Sequence, residues 1–175
     1  NIDVEYARQQ NIDVTNTPHA STNATADLTI GLILSVARRI VEGDHLSRTT
    51  GFDGWAPLFF RGREVSGKTI GIIGLGEIGG AVAKRARAFD MDVLYTGPHR
   101  KEEKERDIGA KYVDLDTLLK NADFITINAA YNPSLHHMID TEQFKKMKST
   151  AYLINAGRGP IVNEQALVEA LDNKA

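Results

Sequence analysis

The sequence predicts an α/β fold: a doubly wound parallel sheet with helices on both faces, incomplete at its C-terminal end. Two observations carry this. Short runs of strand character alternate with stretches of helical periodicity from Thr69 to the end of the chain. The first run, Thr69 to Ile73, is β-branched and apolar in the manner of a buried parallel strand, and Gly67-Lys68 punctuates its start. It passes at once into Gly74-Leu75-Gly76-Glu77-Ile78-Gly79, then into a helical pattern through Ile78, Val82, Ala83, Ala86 and Phe89.

A strand, a glycine turn and a helix in this order form the dinucleotide-binding unit of Rossmann-type folds. Gly74 permits the tight turn, Gly76 lets a pyrophosphate approach the backbone, and Gly79 brings helix and strand together. The phosphate would sit at the helix N-terminus, where unpaired N–H groups and the helix dipole favour negative charge. A flavin, another nucleotide or a purely structural turn are the alternatives.

The other elements follow in order. Val4 to Gln10 reads as a short helix, and Asn11 to Asn16 as a short strand ended by Thr17-Pro18. Asn23 to Val41 reads as one long helix, apolar over much of its circumference and so buried against more than one surface. Thr49 to Gly62 is a loop that carries Trp55, Leu58, Phe59 and Phe60, aromatics that a subunit partner or the domain itself would cover. After the glycine unit, Met91 to Thr96 is a second strand, and Lys101 to Asp107 a charged helical turn with a solvated face. Lys111 to Val113, Asp123 to Asn128 and Ala151 to Asn155 are further strands. Leu115 to Lys120, a capped helix opening at Thr141 to Phe144, and a final helix from Asn163-Glu164 with Ala166, Leu167, Ala170 and Leu171 on one face complete the pattern.

Composition narrows the function. The chain has 175 residues, 42% hydrophobic and 25% charged, with a net charge of -2, values typical of a globular domain without a nucleic-acid or anionic-membrane face. No cysteine is present, which excludes disulfides and thiolate metal sites and fits a cytoplasmic location. The longest apolar run, Leu28 to Ala37, is about half a bilayer span. The first residue is Asn1 and the last are Asn173-Lys174-Ala175, so the chain reads as an excerpt of a longer protein.

Cofactor choice is read after the second strand. An NAD-binding unit carries an acidic residue there, about twenty residues beyond the glycines. This strand ends Tyr95-Thr96-Gly97-Pro98-His99-Arg100-Lys101, with no acidic residue there, small and hydroxyl groups in its stead and Arg100 and Lys101 soon after. Basic groups hold a 2′-phosphate, so NADP(H) is preferred and NAD(H) remains possible. Beyond the fifth strand, Asn155-Ala156-Gly157-Arg158-Gly159-Pro160 puts an Arg between glycines at the edge where parallel sheets bind ligands. Its planar fork suits a carboxylate.

Taken together, Gly67-Lys68-Thr69 before the glycine motif, Asn121-Ala122-Asp123, Lys146-Met147-Lys148 and Asn155-Ala156-Gly157-Arg158-Gly159 resemble the D-isomer-specific 2-hydroxyacid dehydrogenases over essentially the whole chain. Trp55-Ala56-Pro57-Leu58 and Tyr95-Thr96-Gly97 are similar to their glyoxylate/hydroxypyruvate reductase branch, whose members generally prefer NADPH. The resemblance implies a residual segment of the substrate domain at 1–18, a dinucleotide-binding domain at 19–175 and a homodimer through 23–62. It implies cofactor contacts from Gly74, Gly76, Glu77, Ile78 and Gly79, and from Ala156, Gly157 and Thr25 around the nicotinamide. Arg158 would hold the carboxylate of a small 2-oxo acid. In two places the chain departs from the family: Ala130-Tyr131-Asn132 replaces Pro-Leu-Thr, and Pro98 stands where the reductases carry an Arg.

The implied reaction moves a hydride from the nicotinamide to the carbonyl carbon of the 2-oxo acid, while a His oriented by a Glu protonates the oxygen. In the family that pair lies beyond the last helix of this chain, so the chain alone is expected to bind cofactor without turnover. His19, His45, His136 and His137 do not match the proton donor. A dinucleotide-sensing corepressor scaffold and a regulatory nucleotide-binding module are the readings from other classes.

Overall fold

In the computed structural model, which describes residues 2–52, 54 and 56–173, the predicted strands assemble as one parallel sheet. The strands are β1 (Thr69–Ile73), β2 (Asp92–Thr96), β3 (Ala110–Tyr112), β4 (Phe124–Ile127) and β5 (Tyr152–Asn155), in the order β3-β2-β1-β4-β5. The chain starts in the centre, winds out to β3, then returns past β1 to β4. Such a reversal is the switch point at which parallel sheets bind ligands, here at the carboxyl ends of β1 and β4.

Helices cover both faces because the strands are apolar on both. On one face, Ile70, Ile72, Val93, Tyr95, Phe124 and Ile154 meet α2 (Thr22–Arg38) and α4 (Glu77–Ala88), which contribute Ala26, Ile33, Ala37, Val82, Ala83 and Ala86. On the other, Ile73, Ile125 and Ile127 meet Leu118 and Leu119 of α6 (Leu115–Asn121), Phe144 of α7 (Thr141–Phe144) and Ala166 of α8 (Glu164–Asp172). The charged α5 (Glu102–Ile108) links β2 to β3, and α7 opens with a capping box between Asp140 and Gln143.

Several expectations fail for tertiary reasons. After α1 (Val4–Gln9), residues 11–16 form no strand, because no neighbouring strand offers a ladder among the described residues; Ile12 is 58% exposed. The long helix 23–41 breaks into α2 and α3 (Ile40–Arg48) at Arg39, which takes a left-handed conformation with φ 56°. The returning loop causes the break. The Arg63 amide donates to the Ala37 carbonyl at 2.6 Å, and Arg39 lies over the Phe60 ring at 4.1 Å. Phe89 caps α4 in solvent rather than packing under it, and Leu171 of α8 stands 70% exposed, apart from Ala166. Trp55 lies outside the described residues.

Asp123 ties two central strands to the chain before β5. Its carboxylate accepts the Thr69 amide at 3.0 Å and the Lys148 ammonium at 2.8 Å. Partial burial opposes ionisation, but these two donors outweigh it and hold the carboxyl below its ordinary 3.8. A lowered folded value stabilises above the unfolded one and is lost as pH falls through it. Asp123→Asn is therefore expected to cost about 1 kcal/mol at pH 7. The gap from the parent should shrink below about pH 4, as thermal unfolding across pH would measure.

Candidate functional site

The strand register lines up the candidate residues along one edge. Ile73 pairs with Thr96 on one side and Ile127 on the other, and Ile127 pairs with Asn155. The residues that follow, Gly74, Gly97, Asn128 and Ala156, are consequently neighbours in a row at the carboxyl ends of the strands.

The three glycines of the turn have three different surroundings. Gly74 has φ +97°, and a Cβ there would lie 2.8 Å from the backbone of Ala129. A Cβ on Gly79 would lie 2.0 Å from the Gly74 carbonyl oxygen, so only glycine lets α4 start against the turn. Gly76 faces open space, with nothing within 4 Å of the same position. As N-cap of α4, Gly76 supplies no capping side chain, which leaves the first-turn amides at Glu77 and Ile78 available to an anion.

The Glu77 carboxylate accepts from Lys104 and from none of those amides among the described residues. Lys104 donates to it at 3.2 Å and to the Gly76 carbonyl at 3.0 Å, and His19 stands 3.8 Å away. The Lys104 hydrogen bond and charge lower the pKa of Glu77. The contact of His19 with Glu77 sets the start of α2 beside the start of α4, with Thr25 half-buried in the first turn of α2.

Thr96, the last residue of β2, is half-buried and Lys101 beyond it is exposed, with no ion pair to Lys101 among the described residues. Arg100 is differently placed from a free basic turn: its guanidinium makes a fork with Glu105, 2.9 Å from Nε to Oε1 and 2.8 Å from Nη2 to Oε2. This fork and the Tyr95 hydroxyl push Glu105 down to about 2. Burial in the core, reinforced by Glu105, pushes Tyr95 up to about 12. Lys104 and Glu105 thus turn inward from a run expected to be solvated. Their spacing of four and three residues before buried Ile108 was the available signal.

At the end of β5, Arg158 is exposed, its Nη1 donating only to the Gly157 carbonyl at 3.0 Å and its guanidinium in no ion pair among the described residues. Asn155 shapes the turn beneath it, accepting from the Gly157 amide and donating to the Arg158 carbonyl, both at 3.0 Å. Ala156 and Gly157 are half-buried, and a Cβ on Gly157 would come 3.1 Å from the Ala129 carbonyl. His136 and His137 stack at 3.9 Å on the exposed loop after β4, with the His137 amide donating to Pro160. No group of three metal-ligating side chains occurs among the described residues.

These residues fit a dinucleotide. Open space at Gly76, uncapped amides at the start of α4 and a partnerless buried donor, Asn128 Nδ2, all lie along the same edge. The glycine surroundings make a paired prediction. Gly79→Ala is expected to destabilise the fold by about 2 kcal/mol or more. Gly76→Ala should leave the unfolding temperature nearly unchanged and weaken NAD(P)H binding, measured by thermal unfolding and titration of the same two variants.

Comparison with known proteins agrees with this geometry. The profile described as D-isomer specific 2-hydroxyacid dehydrogenase, NAD binding domain, matches residues 30–175. A Staphylococcus epidermidis protein that bears the name of a 2-hydroxyacid dehydrogenase is 99% identical over all of this chain, which covers 55% of it. The solved D-lactate dehydrogenase of Aquifex aeolicus, in complex with NAD and lactic acid, superposes with a TM-score of 0.87 at 34% identity, over 99% of this chain and 51% of that one. A glyoxylate reductase from Paecilomyes thermophila gives 0.86 at 38% identity, over 99% and 52%. The chain spans about half the length of the relatives it matches. With a profile match over most of its length and the dinucleotide-binding sheet it forms, this chain belongs to the D-isomer-specific 2-hydroxyacid dehydrogenases, as part of their NAD-binding domain.

Proposed function

We propose that this chain is the cofactor-binding portion of a cytoplasmic reductase that converts a small 2-oxo acid, of the glyoxylate or hydroxypyruvate kind, into the D-2-hydroxy acid. The observation that carries it is the meeting on one sheet edge of an uncapped helix N-terminus behind Gly76 and an Arg158 guanidinium with no carboxylate partner among the described residues. The first suits a pyrophosphate and the second a substrate carboxylate. The glyoxylate reductase among the structural relatives supports the substrate class.

A nicotinamide dinucleotide bound along this edge supplies the hydride that adds to the carbonyl carbon. Glu77 and Ile78 offer it their amides, while Ala156, Gly157 and Thr25 border the nicotinamide. Arg158 receives the substrate carboxylate in a bidentate grip and orients the carbonyl, and its charge stabilises the oxygen as negative charge develops. A His–Glu pair from outside this chain delivers the proton, so the 175 residues alone bind cofactor and turn nothing over. NADPH is the preferred reductant: Thr96 offers no carboxylate to repel a 2′-phosphate, and Lys101 and the edge of Arg100 that Glu105 leaves free supply positive charge on the turn that follows.

The homodimer is supported by the second apolar stripe of α2. Ala26, Thr29, Ile33 and Ala37 face the core, while Leu28, Leu32 and Val36 are 62%, 40% and 45% exposed. Val41 of α3 and Phe52, Leu58 and Phe59 of the loop are exposed as well, apolar area of the kind that a second copy would cover.

Steady-state reduction of glyoxylate and hydroxypyruvate by the full-length protein tests the assignment. Arg158→Lys keeps the charge and loses the fork, and is expected to lower kcat/KM by about a hundredfold with folding unchanged. Unaltered kinetics in that variant, or turnover by the 175-residue chain alone, contradicts the proposal.

A further inference from the structure

The turn after β2 is held by a network centred on Glu105. Its carboxylate, 13% exposed, accepts Arg100 through Nε and Nη2 and the Tyr95 hydroxyl at 2.7 Å. The same hydroxyl accepts the Lys101 amide at 2.6 Å. At the other end of the turn, the Tyr112 hydroxyl donates to the Gly97 carbonyl at 3.0 Å, and the Tyr112 ring packs 5.3 Å from that of fully buried Tyr95. Residues 97–101 are therefore pinned at both ends to the core. Arg100 nevertheless remains 58% exposed, and its Nη1 edge has no partner among the described residues.

We infer that Glu105 is a positioning residue for cofactor choice, holding the Arg100 guanidinium so that its unused edge receives the ribose phosphate that distinguishes NADPH from NADH. The inference rests on the NADPH reading above. An unheld arginine loses rotamer freedom when it grips an anion; here the folded protein has already ordered the side chain. The two-point contact also sets the plane of the fork, which a single ion pair would not. Glu105 neutralises part of the Arg100 charge, and exposed Lys101 next to it supplies the remaining positive field.

The test is equilibrium titration of the full-length protein with NADPH and with NADH, for the parent, Glu105→Gln, Arg100→Lys and the double variant. Gln at 105 keeps an oxygen for Tyr95 but turns an NH2 group toward Arg100, and Lys at 100 keeps the charge without the fork. Each single change is expected to weaken NADPH about five- to tenfold and NADH less than twofold. The double should be no weaker than either single, because both break one pair. NADPH binding that is unchanged or tighter in Glu105→Gln, equal weakening of both cofactors, or additive single effects overturns the inference. Glu105→Asp keeps the carboxylate but shortens its reach to Arg100, and decides the matter if Glu105→Gln does not fold: NADPH binding unchanged in it overturns the inference. A parent that binds NADH as tightly as NADPH overturns the cofactor reading itself, and this assignment with it.

Discussion

The site depends on one close contact, the approach of Gly79 to the carbonyl of Gly74. With no side chain between them, α4 begins directly against the turn that leaves β1, and any Cβ at 79 would overlap the Gly74 oxygen. That contact aims the first-turn amides of α4 out over the edge of the sheet. Gly74 is itself pressed against Ala129 beyond β4, so the turn is fixed from both sides. The proposed anion site would thus be a consequence of backbone packing, with the open space at Gly76 as its mouth.

Around that contact the sheet register does the remaining work of assembly. Because β1, β4 and β5 pair in register at Ile73, Ile127 and Asn155, the turn of Gly74, the amide of Asn128 and the Ala156–Arg158 turn emerge side by side. Polar side chains then shape each exit. Asn155 braces the Arg158 turn, Glu105 braces the Arg100 turn, and Lys104 pairs with the Glu77 carboxylate at the start of α4. A bare carboxylate beside uncapped helix amides would compete with a pyrophosphate for them, and the ion pair with Lys104 gives Glu77 another partner.

Much of this was legible from residues close in sequence. The glycine turn, the apolar strand before it and the helix after it are local signals, and all five strands fall within about two residues of their expected places. What was illegible depends on residues far along the chain. Nothing near Arg39 ends a helix; the break comes from the return of Gly62 and Arg63 onto the carbonyl of Ala37. The 11–16 segment has strand-forming residues and no partner strand, and propensity without a partner decides little. In the candidate site, the glycines and Arg158 stood out as types at a spacing. Glu105, Lys104, Asn128 and Asn155 did not, because their roles come from what faces them across the fold. Only the inward phase of Lys104 and Glu105, counted back from Ile108, could have been read in advance.

We place a nicotinamide dinucleotide along the carboxyl edge, with its pyrophosphate on the start of α4. Backbone amide shifts of the isotopically labelled protein, followed as NADPH is added, test this most directly. The largest changes are expected on Gly76, Glu77 and Ile78, on the 97–101 turn and on Ala156 to Arg158. Saturable binding that leaves those amides unmoved, or shifts confined to the aromatic loop around Phe52 and Phe59, would contradict it.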